Sequence, residues 1–243
     1  MKKLLALLSC VLLLTACSNK KDEIKTENNP EVEQQPSTEK EDLVGGWSIN
    51  QELCPINDAY FEIATKELLG VEYQPLLVLG TQPVAGENIA YLSYATTVTP
   101  DAKQKLKIVV VNHDVTSDEI KVSDVIDFNL LDYLDVEGST TPEGLMGGWQ
   151  DNTQNLPNML EDNEKEIFDK AFEGFTGVGY TPVIKLGSQV VAGTNYAFLA
   201  VGRTIAENEV SHLYVVKIYA DLQGNAKVTN ICGLNLSELS IRK

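Results

Sequence analysis

Short runs of alternating or continuous apolar residues fill most of the chain, and at two places the pattern shifts to a helical spacing. Tyr60, Phe61, Ala64 and Leu68 recur at helical intervals, which predicts a helix over residues 58–69 with Asn57 as N-cap and Gly70 as its stop. Ile167, Phe168, Ala171, Phe172 and Phe175 repeat the arrangement. They predict a second helix over residues 164–175, capped by Asn163, with Glu164 and Glu166 in the first turn where the helix dipole favours acid. These aromatics are expected to be core.

After each helix the period shortens. Thr181-Pro182-Val183-Ile184-Lys185-Leu186 and Tyr196-Ala197-Phe198-Leu199-Ala200-Val201 read as strands, and Gln189-Val190-Val191-Ala192-Gly193 between them reads as a hairpin loop. Residues 213–219 and 227–231 form a further strand pair around Leu222-Gln223-Gly224-Asn225. In the first half, residues 106–111 and 121–127 flank Thr116-Ser117-Asp118 in the same way. One helix followed by an antiparallel meander predicts an α+β fold, with the helix stripe buried on one face of its sheet.

The pattern occurs twice. Gly45-Gly46-Trp47 returns as Gly147-Gly148-Trp149, Tyr73-Gln74-Pro75 as Tyr180-Thr181-Pro182, and Lys121-Val122-Ser123-Asp124 as Lys227-Val228-Thr229-Asn230. A spacing of about 105 residues is that of a duplicated domain, far longer than a solenoid repeat. The expected division is residues 44–135, a linker at 136–145 rich in Gly, Ser, Thr and Pro, and residues 146–243.

The hairpin tip is unusual. Such loops favour Asn, Asp or Ser with Gly, yet Val190, Val191 and Ala192 precede Gly193, and Pro83, Val84 and Ala85 precede Gly86. An apolar tip requires a covering surface. Either the neighbouring repeat or a partner protein can provide it.

A formal net charge of −16 and a pI near 4.5 exclude a nucleic-acid binder, since no basic stripe exists to neutralise phosphates. The two histidines, His113 and His212, fall in different copies with no ligand at metal spacing. No acid/base pair, phosphate loop or Ser/His/Asp arrangement stands out, so no enzyme, metal or cofactor is expected. Cys54 and Cys232 lie in different copies at non-equivalent positions; buried thiols are expected, with a disulfide between them as the alternative.

Residues 1–16 carry Lys2 and Lys3, an apolar run, and Leu14-Thr15-Ala16 before Cys17. The run is too short to span a bilayer, and the segment resembles a bacterial lipoprotein signal. That resemblance implies cleavage after Ala16, a diacylglyceryl group on Cys17, and an extracytoplasmic protein anchored to the cell membrane or an outer membrane. Residues 17–43 then form the lipidated cysteine and a tether too polar to fold.

Gln189-Val190-Val191-Ala192-Gly193, continued by Thr194-Asn195-Tyr196, fits the Gln-x-Val-x-Gly signature of the cystatins and is especially similar to the stefin branch. Met146-Gly147-Gly148 stands where stefins carry a glycine segment, and Val210-Ser211-His212-Leu213-Tyr214 resembles their strand before the second hairpin. The resemblance implies two cystatin-like domains, each one helix packed on an antiparallel sheet. It also implies reversible inhibition of papain-like cysteine proteases by a monomer that plugs the cleft. Gly147, Gly148, Gln189, Val190, Val191, Ala192, Gly193, Leu222, Gln223 and Gly224 would make the contact, and Gly46, Gln82, Pro83, Val84, Ala85 and Gly86 a second site. The second hairpin lacks the Pro-Trp of secreted cystatins, and Gly147 is not at a free chain end. The alternative is a non-inhibitory binding or scaffold lipoprotein of the envelope.

Overall fold

The computed structural model describes residues 46–50, 58–134, 148–151, 160–205 and 209–239. The leader, Cys17, the tether, Cys54, Asn57, the linker and Gly147 lie outside the described residues. Among the described residues no helix is long and apolar enough to cross a membrane.

Two five-stranded antiparallel sheets make up most of the described chain. The first has the order β1 (Ser48–Ile49), β2 (Val71–Val84), β3 (Gly86–Thr97), β4 (Gln104–Asp114) and β5 (Glu119–Asp127). The second contains β6 (Trp149–Asp151), β7 (Val178–Val191), β8 (Gly193–Thr204), β9 (Ser211–Ala220) and β10 (Ala226–Leu234) in the same order. The likeness extends to irregularities. The register of β2 shifts between Pro75 and Leu77 and between Val78 and Gly80, and that of β7 between Pro182 and Ile184 and between Lys185 and Gly187. Bulges at matching points re-aim matching side chains, so each position of β2 has its counterpart in β7.

The inner faces of the sheets meet. Leu77, Leu79, Leu92, Ile108 and Val110 of the first join Ile184, Leu186, Leu199, Val201 and Val215 of the second in one continuous buried cluster, the largest among the described residues. Each half closes over the other. Leu130, in a 3₁₀ turn at Leu130–Tyr133 after β5, reaches Gly187 of the second sheet, where an added Cβ would stand 3.0 Å from its Cδ2. Leu236, in the four-residue helix α3 (Leu236–Leu239) after β10, lies 3.2 Å from the same point above Gly80 of the first. Trp149, 3% exposed, is also sunk in this core, with Trp47 packed against it. The tryptophan of each Gly-Gly-Trp repeat is therefore a core anchor.

The expected α+β plan, two cystatin-like domains with one helix packed on each sheet, is overturned by this architecture. The described residues are mostly β, the helices among them are few and short, and their main core is sheet against sheet. The physical reason is visible in the strands. Leu76-Leu77-Val78-Leu79 and Phe198-Leu199-Ala200-Val201 are apolar at consecutive positions, as strands buried on both faces must be. A helix covering one face leaves the other apolar face in water.

The helices also differ from expectation. The first, α1, spans Ala59–Thr65, seven residues against the twelve positions of 58–69, and Phe61 is its one buried side chain. Its cap is Asp58, whose carboxylate accepts from the Tyr60 N–H at 2.9 Å. Helix α2 spans Asp162–Ala171. Asn163 lies inside it, and the cap is Glu161, whose N–H donates to Glu164 Oε2 at 3.1 Å. Each helix start is tied to the outer face of a sheet by a different chemistry. The Tyr91 hydroxyl donates to Asp58 Oδ2 at 2.7 Å; burial first, and then that carboxylate, hold the phenol protonated well above the ordinary tyrosine range. In the second half Lys185 donates to Glu164, which is 4% exposed.

Candidate functional site

Strand register places three sequence-predicted segments at one end of the second sheet. Trp149 pairs with Gln189, so Gly148, with φ +74 and open space around it, stands level with Val190. Val191 pairs with Gly193, which leaves Ala192 alone at the hairpin tip. Most of the expected loop is therefore strand. Thr194 pairs with Ala220, so the turn of residues 221–225 lies beside that tip. Gly148, the tip and the second turn sit abreast along the order β6, β7, β8, β9, β10.

The side chains at this end are mainly apolar and bare. Val190 and Leu222 are each 81% exposed and Val191 is 45% exposed. Gln223 and Gly224 are exposed, Gln189 is half-buried and Gly193 is buried. Of the two ways to cover the tip, packing beneath the companion repeat is not what the structure contains. The backbone under the tip is firmly set. At Gly193, φ is +119 and a Cβ would come within 2.3 Å of the Ala220 carbonyl oxygen, so only glycine fits there. Two rungs behind, Asn195 Nδ2 donates to Gln189 Oε1 at 2.7 Å. That bond accounts for the glutamine of the motif as a brace within the hairpin.

The second turn is built on Asp221. Its carboxylate accepts from the N–H groups of Gln223 and Asn225 at 2.9 Å and from Asn225 Nδ2 at 2.8 Å. The Asn225 side chain, followed by these backbone donors, holds the carboxyl below the usual aspartate range. Lys170 of α2 donates to the Gly224 carbonyl at 3.1 Å, and the Tyr219 hydroxyl donates to the Ala192 carbonyl.

None of Asp221, Lys170 and Tyr219 was among the predicted site residues. Asp at the head of a turn ending in Gly-Asn was a readable signal. Tyr219 and Lys170 carried none, since their roles depend on strand register and on a contact far along the chain.

The first sheet has a matching end. Val84 pairs with Gly86 and leaves Ala85 at the tip, and Ser48 pairs with Thr81, which sets Gly46 level with Pro83. Pro83, Val84 and Ala85 are exposed, Gln82 and Gly86 half-buried. Asn88 donates to Gln82 at 2.8 Å, and Asn112 donates to Asn88 at 2.9 Å. The turn is held by Asp114, which accepts from the Thr116 N–H at 2.8 Å. That bond leads the causes holding the carboxyl low. Val115 in this turn is 68% exposed, so an apolar side chain stands beside the polar Thr116-Ser117-Asp118. His113 stacks on Tyr60 at 5.0 Å and contacts Asp118 at 3.0 Å.

Among the described residues, no group of three His, Cys, Asp or Glu side chains could hold a metal ion. No protein-family model matches the chain, and no curated protein matches it.

Proposed function

We propose that this chain is a reversible inhibitor of papain-like cysteine proteases, held outside the cytoplasm by the lipid on Cys17 and acting through the edge of its second half. The observation that carries the reading is the bare apolar row of Val190, Val191 and Leu222 standing beside Gly148 on a braced hairpin end. A rigid hairpin loses little entropy on docking, and burying one valine is worth about 1.5–3 kcal/mol. The tip offers no charge that a cleft would have to desolvate. The resemblance of Gln189-Val190-Val191-Ala192-Gly193 to the cystatin signature supplies the class of partner, with Gly148 entering one side of the cleft and Leu222, Gln223 and Gly224 the other.

For the first half a second reading is favoured. Pro83 stands where the second half has Val190, and the histidine pair of His113 with Asp118 flanks its turn. That edge fits a non-inhibitory binding surface of an envelope lipoprotein.

The test is titration of papain and of a cathepsin-type protease with the mature protein. The reading expects reversible loss of activity with no cleavage of the inhibitor. Full protease activity at micromolar protein overturns it.

A further inference from the structure

We propose that Tyr219 is a positioning residue that locks the hairpin tip in its binding shape and couples it to the second turn. The inference rests on the inhibitory reading above for its consequence, though not for its geometry. Tyr219 lies on β9 opposite Asn195, one residue from the end of the strand. Its hydroxyl reaches across β8 to the Ala192 carbonyl, the backbone group of the single residue at the tip. Its ring fills the space above Gly193, where a Cβ would meet the ring Cε2 at 3.0 Å and the hydroxyl at 3.1 Å. From β10, Lys227 Nζ stands 5.8 Å from the ring centroid, a cation over an aromatic face. One side chain thus joins three strands, directly beneath the tip and two residues before the turn that starts at Asp221.

The corresponding position in the first half is Asn112, opposite Asn88. Its amide bonds sideways to Asn88 Oδ1 at 2.9 Å and is too short to hold the tip from below. Fixing a backbone residue costs conformational entropy, and a loop that has met that cost during folding binds more tightly. The lock therefore belongs to the half with the more exposed valine at its tip.

Tyr219→Phe tests this, because it keeps the ring and removes only the hydroxyl. Two readouts are needed. Amide hydrogen exchange in the unbound full chain is expected to speed up at Val191, Ala192 and Gly193 while the rest of the second sheet is unchanged. Inhibition of papain is expected to weaken by about three- to tenfold, the net worth of one hydrogen bond, mostly through faster dissociation. Unchanged exchange at the tip overturns the lock, whether or not the chain inhibits any protease. Faster exchange with undiminished inhibition overturns the positioning role. If the parent protein inhibits nothing, the inhibitory reading falls and exchange alone decides the lock.

Discussion

The two hairpin edges of this molecule share a backbone and differ in what they present and how they are held. Val84 and Val191 occupy equivalent positions and are equally exposed at 45%, and Val115 answers Leu222. Yet Pro83 replaces Val190, and Asn112 replaces Tyr219. The glycine, the amide brace and the aspartate turn are common to both, so they belong to the scaffold. The protruding valine and the tyrosine beneath it are specific to the second half, and on the proposed reading they carry the activity.

That scaffold is shared in a stronger sense, since each half buries its inner face only against the other. Leu186→Ala, at a position 1% exposed in the joint core, is expected to destabilise the chain by about 2–5 kcal/mol. Calorimetry should show one transition moving as a whole. Two transitions, with only one displaced, would mean that the halves are independent and that the comparison concerns two separate molecules. For the same reason the halves are best compared by substitution within the full chain.

The helix anchors come next in size. Lys185→Ala leaves the Glu164 carboxylate buried without its ammonium partner and is expected to cost about 3 kcal/mol. Tyr91→Phe removes one hydrogen bond to Asp58, worth about 1 kcal/mol. Chemical denaturation reads both, and equal losses would show that the ion pair is no more important than the hydroxyl it replaces.

A smaller effect is expected in acid. The carboxyls of Asp114 and Asp221 titrate lower in the folded chain than unfolded, so the stability they lend is complete above the ordinary aspartate value of about 3.9. It is lost as pH falls through their lower folded values. Amide protection at the two turns, measured against the intrinsic exchange rate at each pH, should therefore fall together in acid and stay level near neutral pH. If one turn loosened alone, the turns would not be the common part.

Much of this was legible in the chain. Repeated Gly-Gly-Trp, the paired hairpins and both turns were readable, because short-range patterns fix local geometry. The α+β expectation failed because a single apolar helix stripe accounts for only one sheet face, whereas consecutive apolar residues such as Leu76 to Leu79 and Phe198 to Val201 mark two. Asn163 read as a cap, yet it sits inside α2, where Glu161 and Glu164 satisfy the helix start instead. Tyr219 could not be found from sequence, because its partner Ala192 lies 27 residues away and only the register of β8 on β9 brings them together.

Substituting the equivalent valines in one titration tests the central claim most directly. Measured against papain with the full mature chain, Val191→Asp is expected to weaken inhibition more than about tenfold, a loss of about 1.4 kcal/mol or more, with an unchanged melting temperature. Val84→Asp, at the same exposure on the other edge, should leave the inhibition constant where it was. Equal losses, or a loss at Val84 alone, would contradict the assignment of the second edge as the contact.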